Sequence, residues 1–318
     1  MSRGATSSWL VTVSDSGHRL DKFLAHPDRL KSRGRAADAI ERGKIFVNDV
    51  EAAGADASRA LQPGDVVRLW ADRPGTAQRR NLRRAGPLDI LFEDSALIVI
   101  NKPPGLLTVP LPARDTAPSV HALLDARLRR QGKRRSHVVH RIDRDTSGLV
   151  VFAKHLRAQM ALKEQFRRRE TERVYWAVVY GHPSPSAGTW RDHLVWDPSD
   201  LIQKETHPAD PRAAEAISEY RLLERFKAAS LIEVRLHTGK RNQIRLQSRL
   251  HGHMLVGETR YVYGPEQLRP IEFGRQALHA RRLAFTHPDT DRRLELEAPI
   301  PADMDDLIRR LRSAPGPE

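Results

Sequence analysis

The pattern of apolar and polar residues divides the chain into short strands and amphipathic helices. An uninterrupted apolar run at Leu149–Ala153 predicts a buried strand, and strict alternation across Ile232–Leu236 predicts a strand with one polar face. Apolar residues recur with helical spacing in His155–Arg169 and again in Met304–Leu311. Because most strands are consecutive and several alternate, we expect an α+β fold in which helices pack around a mixed or antiparallel sheet.

The first 72 residues have the pattern of a separate small α/β module. Apolar residues at Leu20–Leu24 predict a short helix, and a second helix is predicted to end at Gly43, a residue type favoured after helix C-termini. Lys44–Val47 and Val66–Trp70 predict strands. The second helix carries several basic residues: Arg33, Arg35 and Arg42.

Residues 73–86 are predicted to be a linker between two domains. Proline and glycine interrupt regular structure there, and five arginines repel one another. A solvated linker and a phosphate-binding arm both remain open. The second domain is predicted at residues 87–312, followed by a tail at 313–318. Within it, Asp197–Pro211 has the composition of a long polar loop, a class of segment that often carries recognition.

The charge balance indicates a polyanionic partner. Lys and Arg number 54 against 40 for Asp and Glu, a net charge of +14, which suits nucleic acid or an anionic membrane. No apolar run reaches the roughly 18 residues of a membrane span, and no secretory signal is visible in residues 1–10. The absence of cysteine excludes disulfides and thiolate metal sites, and favours a cytoplasmic protein. No zinc-ligand spacing appears among the histidines.

A candidate catalytic carboxylate lies in the segment before the predicted buried strand Leu149–Ala153. Asp143 stands between Arg141 and Arg144, and a polar corner at Thr146–Gly148 follows. Nearby cations favour the ionised form of a carboxylate, and an ionised, rigidly held Asp can act as nucleophile or base. A surface cluster of ion pairs would have the same composition. The residues alone leave both interpretations open.

The segment His140–Leu149 resembles the signature of the RluA-type RNA pseudouridine synthases, with Ile142 as its departure from that pattern. Further stretches resemble the same family in the same order along the chain. They are Lys102–Gly105, Arg173–Gly181 and Gln243–Arg245. The order of elements in residues 1–72 is similar to that of the S4-like RNA-binding module.

The resemblance implies a pseudouridine-synthase catalytic fold and an enzyme that isomerises uridine to pseudouridine in RNA. Asp143 would be the nucleophile or base, Arg245 would hold it ionised, and Tyr175 would pack beside the target base and assist proton removal. Arg141 would occupy the space left by the flipped base. Further RNA contacts are expected at a set of basic residues: His140, Lys102, Arg33, Arg35 and Arg42. For Lys102 the family's Lys-Pro-x-Gly corner indicates a mainly structural role rather than a catalytic one.

We expect no metal and no cofactor, because the bond that breaks and the bond that forms join the same two fragments, the sugar and the uracil. The expected protein is a cytoplasmic monomer that binds RNA and no membrane, with large-subunit ribosomal RNA favoured over transfer RNA. Four positions depart from the family pattern and leave substrate choice open: Lys240, Asn242, Gln247 and Glu258. Two alternatives remain, a non-catalytic RNA-binding protein and a nucleoside or glycoside hydrolase. The hydrolase would need a second carboxylate, for which Asp145 is a poor candidate.

Overall fold

A computed structural model describes most of the chain as two compact units, Met1–Arg83 and Arg84–Glu318. The residues it describes are 6–41, 43–48, 50–52, 54–70, 88–110, 118–132, 135–198, 202–261 and 271–313. The predicted linker at 73–86, Arg42 and most of the predicted tail, from residue 314 onward, lie outside the described residues.

The N-terminal unit contains an antiparallel sheet with strand order β1-β4-β2-β3 and two helices. Its elements are β1 (Thr6–Leu10), α1 (Leu20–Leu24), α2 (Arg33–Glu41), β2 (Ile45–Val47), β3 (Val50–Glu51) and β4 (Val66–Trp70). The apolar face of α1 is fully buried in the core of this unit, as its spacing predicts. Strand β1 has a polar sequence and was not predicted, because only its pairing with β4 makes it a strand.

The larger unit is built on one mixed sheet. Its strands are β5 (Asp89–Glu93), β6 (Leu97–Lys102), β7 (His137–Val138), β8 (Ser147–Ala153), β9 (Glu172–Tyr180), β10 (Ala187–Asp197), β11 (Ile202–Glu205), β12 (Ala214–Arg225), β13 (Ala229–Leu236), β14 (Leu278–Thr286) and β15 (Arg293–Glu297). Its helices are α3 (Val120–Arg130), α4 (Leu156–Arg168), α5 (Gln243–Leu250) and α6 (Ala302–Ser313).

The strand order is β11-β10-β12-β13-β9-β14-β8-β6-β5, with β15 beside β14 and β7 beside β8. Among the described strands, β14 and β8 form a parallel pair, and the other pairs are antiparallel. With helices packed against this sheet, the expected α+β fold is confirmed.

Burial of the predicted apolar faces accounts for the packing of the helices. Every residue of β8 is buried, which explains its unbroken apolar run. Ala158 and Leu162 of α4 are fully buried against the β8 side of the sheet, while Met304 and Leu307 of α6 pack near β9. Each large side chain buried in this way contributes about 1.5–3 kcal/mol.

The predicted loop at Asp197–Pro211 is partly wrong, because β11 lies inside it and pairs with the end of β10. Its polar residues concealed the strand. Ile202 and Gln203 turn into the unit, whereas Lys204 and Glu205 stay exposed. The pairing extends the sheet by one edge strand.

Gly148 lies where the parallel strands β8 and β14 meet, opposite Ala280. Its φ is +106°, and a Cβ at this position would collide with the backbone carbonyl of Ala280. We therefore expect Gly148→Ala to lower the free energy of unfolding by at least about 3 kcal/mol, combining left-handed strain with a backbone clash.

The matched control is Gly132→Ala, which also has positive φ, +67°, but has open space around the Cβ position. It should cost only about 1–2 kcal/mol. Urea denaturation of both variants measures the difference. Equal losses of unfolding free energy in the two variants would show that the Ala280 backbone moves away from the added Cβ at no cost in stability.

Candidate active site

Asp143 lies on the loop between β7 and β8, and the loop backbone is held on both sides of it. The Thr108 hydroxyl donates to the Ile142 carbonyl at 2.8 Å. On the other side, the Lys102 ammonium donates to the Arg144 carbonyl at 2.7 Å. The Asp143 side chain stays 23% exposed, so a ligand can reach a carboxylate whose backbone is fixed.

Lys102 is fully buried and acts as a clamp on this loop. Besides the Arg144 carbonyl, its amine donates to the carbonyls of Pro103 and Leu106, each at 2.9 Å. Burial lowers the pKa of Lys102 to about 7, although the charge of Asp145 opposes the decrease. Three carbonyl acceptors require three N–H donors, which the ammonium form provides. All three donors of the buried Lys102 are thus engaged by backbone carbonyls, which favours the predicted structural role over the predicted RNA contact.

A second buried cation, Arg275, holds the corner that follows Asp143. Its guanidinium donates to the Asp145 carbonyl at 3.0 Å and forms a two-bond pair with Asp303 at 2.7 and 3.0 Å. Arg275 is 4% exposed. Nothing in the sequence connects it with the candidate site, since it lies 130 residues away in the chain.

Arg245, on α5, reaches Asp143 through a single nitrogen at 3.5 Å. Its guanidinium instead donates two hydrogen bonds to the Glu258 carboxylate, from Nε to Oε2 at 2.7 Å and from Nη2 to Oε1 at 2.6 Å. Burial alone would lower the pKa of Arg245, but the charges of Glu258 and Asp143 outweigh burial and raise it. The predicted proximity of Arg245 and Asp143 is present, yet the two-bond partner is a different carboxylate.

Glu258 has no exposed side-chain surface and is stabilised as an anion inside the protein. In addition to Arg245, one carboxylate oxygen accepts from the backbone N–H groups of Thr259 and Arg260 at 2.9 and 2.7 Å. Burial raises the pKa of Glu258, but Arg245 and these N–H groups outweigh burial and lower it overall. Sequence reasoning noted Glu258 only as a departure from the family pattern.

Tyr175 lies on β9 and is 8% exposed. Burial raises the pKa of Tyr175 to about 12, the charge of Asp143 adds to the increase, and Arg173 opposes it. The phenol is therefore neutral near pH 7. It can pack against a ring or donate a hydrogen bond, but as a phenolate base it would be scarce.

His140 is packed against the sheet rather than presented to solvent. Its Nε2 accepts from the Val151 N–H at 3.1 Å, and its ring stacks on Phe166 with 4.5 Å between centroids. Burial, followed by the charge of Arg173, lowers the pKa of His140 to about 3. A neutral imidazole held in this way does not bind phosphate as a cation, and the predicted RNA contact of His140 stays a prediction.

Two arginines at the candidate site remain open to solvent. Arg141 is exposed two residues before Asp143. Arg241 is also exposed, and its guanidinium lies 4.0 Å from the ring centroid of Trp196. Partial burial of its guanidinium, together with the charge of Arg141, lowers the pKa of Arg241. Arg241 was missed because an isolated arginine carries no signal of its own.

The arginines predicted in the N-terminal unit have different surroundings. Arg33 pairs with Asp21 at 2.9 Å and keeps 64% of its side chain exposed. Arg35 is exposed on the same helix, and Arg42 lies outside the described residues.

Two departures from the family pattern occupy buried positions on or beside α5. Gln247 is fully buried and bonds Ser218 at 2.6 Å and Asp192 at 2.7 Å, so it ties α5 to the sheet. Asn242 immediately precedes α5 and lies against Asp143, within 2.8–3.0 Å of both carboxylate oxygens.

Within the described part of the chain, no group of three or more His, Asp or Glu side chains is placed to hold a metal ion. Among the same residues, no helix is long and apolar enough to cross a membrane.

Comparison with known proteins identifies the family. The family model described as RNA pseudouridylate synthase matches residues 96–249. "Uncharacterized RNA pseudouridine synthase YlyB" of Bacillus subtilis (strain 168) is 36% identical over 307 residues, spanning 95% of this chain and 97% of its own. "Ribosomal large subunit pseudouridine synthase D" of Xylella fastidiosa (strain Temecula1) is 36% identical over 315 residues, spanning 95% and 92%.

Solved structures agree at the level of the fold. "Human RNA Pseudouridylate Synthase Domain Containing 4" superimposes with a TM-score of 0.58 at 23% identity, over 70% of this chain and 93% of that one. The sequence relatives extend over nearly the whole chain at more than a third identity. The chain therefore belongs to the RluA-type family of RNA pseudouridine synthases, enzymes that isomerise uridine to pseudouridine in RNA.

Proposed function

We propose that this protein isomerises uridines of large-subunit ribosomal RNA and that Asp143 carries the reaction. The observation that supports this most directly is the setting of Asp143, a partly exposed carboxylate on a loop held by Thr108 and by the buried Lys102. Such a group is both accessible to a substrate and fixed in direction, as a nucleophile or base must be.

The chemistry needs little beyond a held ring and one carboxylate. The bond from sugar C1′ to uracil N1 breaks, the uracil turns, and a bond from C1′ to C5 forms. The proton on C5 leaves and N1 regains one, so atoms and charge balance without an outside reactant. As a nucleophile, Asp143 would bond C1′ as N1 leaves and would itself be displaced when C5 bonds C1′. As a base, it would take the proton from C5 and return one to N1. The neutral Tyr175 packs against the ring while it is free.

The target base must leave its stack to reach Asp143, at a cost of a few kcal/mol. Arg141 is exposed beside the carboxylate and is the side chain we propose to fill the vacated space. Arg241, on the Trp196 ring, adds a second cation at the same side of the site for the neighbouring phosphates.

The choice of ribosomal RNA rests on the relatives, several of which carry the name "Ribosomal large subunit pseudouridine synthase D". The test is to map pseudouridines across total RNA in cells with the protein, without it, and with its Asp143→Asn variant. Sites in large-subunit RNA that disappear in the last two strains would support the proposal. If those sites persist and others in transfer RNA disappear, the substrate class is wrong.

We further propose that the protein acts as a monomer in the cytoplasm. The contacts of Asp143 with Arg245 and Asn242, and of Arg245 with Glu258, form within one copy of the chain. Sedimentation of the protein with and without an RNA fragment measures the stoichiometry, and a 2:1 complex would contradict it.

The N-terminal unit is proposed to be an S4-like RNA-binding module that holds phosphates through α2. In that role, Arg33→Ala combined with Arg35→Ala should weaken RNA binding and flatten the slope of log affinity against log salt by roughly 0.7 for each phosphate that the variant no longer neutralises. The control removes the same charge from α6, with Arg309→Ala and Arg312→Ala, and should leave the slope unchanged. Equal slopes in the two double variants would exclude a specific role for α2.

A further inference from the structure

Asn242 is held in an unusual backbone conformation beside Asp143. It directly precedes α5 with φ of 53°, in the left-handed region where asparagine is tolerated better than most residues. Its side chain makes no capping bond to the helix, and the residue is only 6% exposed. The amide is thus withdrawn from the usual role of a residue at a helix N-terminus.

The two ends of this amide face different partners. With its nitrogen toward Asp143, it donates to Oδ2 at 2.8 Å and to Oδ1 at 3.0 Å. Its oxygen then accepts from the Tyr261 hydroxyl at 3.1 Å and from Arg260 Nη1 at 3.2 Å. The reverse orientation would gain one long bond from Arg245 Nη1, at 3.4 Å, but would set the amide oxygen against both carboxylate oxygens, so the partners at the two ends favour the nitrogen toward Asp143.

A chain of hydrogen bonds, from the Gln203 backbone through Tyr261, supports that orientation of the Asn242 amide. The Tyr261 oxygen accepts from the Gln203 backbone N–H at 3.3 Å, which leaves its O–H free to donate to Asn242. Tyr261 is 1% exposed, so the chain runs through the interior from β11 to Asp143. Successive bonds in such a buried chain polarise one another in the same sense.

Asn242 also lies closer to Asp143 than Arg245 does. Its amide donates two hydrogen bonds to Asp143, at 2.8 and 3.0 Å, whereas Arg245 makes one contact at 3.5 Å. The two shorter hydrogen bonds of Arg245 go to Glu258. Hydrogen bonds to a carboxylate favour its ionised form and fix its plane.

We infer that Asn242 is a positioning residue for the isomerisation, which aims the Asp143 carboxylate through two hydrogen bonds that Arg245 does not supply. This inference rests on the proposed role of Asp143. It assigns a purpose to one of the four departures from the family pattern, a position that sequence reasoning connected only with substrate choice.

The test replaces the amide in two complementary ways. Asn242→Gly removes it without backbone cost, since glycine suits the left-handed conformation. Single-turnover pseudouridine formation on a ribosomal RNA fragment should fall roughly 10- to 100-fold, the effect of losing a hydrogen bond to a charged group. RNA affinity should stay within a few fold. Asn242→His keeps a ring N–H donor and should recover part of the lost rate.

The second replacement, Asn242→Asp, turns the donor into a carboxylate of the same shape. Two carboxylates at hydrogen-bond distance hold a shared proton more tightly than either would alone. That proton is lost as pH rises, so the rate of this variant should increase with pH more steeply than that of the parent protein. The other charged or titratable groups around Asp143 are unchanged in this variant. They are Arg141, Arg144 and Asp145 on its own loop, Lys102 at the end of β6, Tyr175 on β9, Arg241 and Arg245 at α5, and Glu258, Arg260 and Tyr261 beyond α5.

The matched control is Asn101→Asp, which makes the same change at another Asn–Asp pair. The Asn101 amide donates to Asp89 at 2.9 Å on the exposed side of β6. This variant should keep both the rate and the pH profile of the parent protein. A parent-like rate in Asn242→Gly, or no added pH dependence in Asn242→Asp relative to Asn101→Asp, would overturn the inference. If Asp143→Asn also stayed active, the proposed function itself would be wrong.

Discussion

Replacing Asp143 with asparagine should reduce single-turnover pseudouridine formation to background while RNA affinity stays within a few fold. The amide keeps the shape of the carboxylate but lacks its negative charge and most of its nucleophilicity, and its nitrogen cannot accept the hydrogen bond that one carboxylate oxygen accepts. Asp145→Asn is the control, because Asp145 lies in the same loop with a similar exposed fraction, 27% against 23%, and pairs with Arg144 at 3.3 Å. It should retain most of the activity.

The relation to Arg245 is tested in the same assay. Arg245→Lys keeps a charge but loses the two-bond fork on Glu258, so turnover should fall without being abolished. Combined with Asp143→Asn, it should cause no further loss, since both act through one carboxylate. Substantial residual turnover in Asp143→Asn would remove Asp143 from its role, and a loss of turnover in Asp145→Asn would then assign that role to Asp145.

Replacing Glu258 with glutamine should lower the free energy of unfolding by roughly 3–5 kcal/mol, because it leaves the buried Arg245 charge with only its single 3.5 Å contact to Asp143. Glu258 has no exposed side-chain surface, and Arg245 has 9%. The amide nitrogen of glutamine would also face the guanidinium, donor against donor. Urea denaturation of the variant measures the loss.

The control for this prediction is Glu224→Gln, which makes the same change in an exposed pair. Glu224 and Arg312 have 33% and 53% exposed side chains, and such pairs contribute about 1 kcal/mol or less. Glu258→Asp adds a graded case, since it keeps the charge but shortens the reach to Arg245. If Glu258→Gln unfolds like Glu224→Gln, the buried pair is not the main stabilising contact of Arg245.

The parts of the site that the sequence reveals are those that are contiguous in the chain. Asp143, its flanking arginines and the buried strand behind it follow one another, and the spacing alone places the carboxylate on a loop ahead of β8. That placement is what the structure shows. Lys102 and Arg245 were also singled out, because each lies in a short stretch that resembles a motif of the family.

The partners of these residues were not predictable in the same way. Glu258 and Asn242 are ordinary polar residues in the sequence, and only the fold brings them against Arg245 and Asp143. Local patterns carry no information about contacts across a hundred residues. Strand β11 was missed for a related reason, because its pairing with β10, rather than its own composition, makes it a strand.

The position of β14 has a consequence for the order in which this enzyme becomes competent during synthesis. Strand β14 lies between β9 and β8 in the sheet, although it follows β8 by more than a hundred residues and lies beyond the matched family region. Arg275, just before β14, holds the Asp145 carbonyl, and Ala280 packs on Gly148. A ribosome must therefore add nearly the whole chain before the catalytic corner can close. Nascent chains that stop short of β14 should be unable to modify RNA, however well their earlier strands have paired.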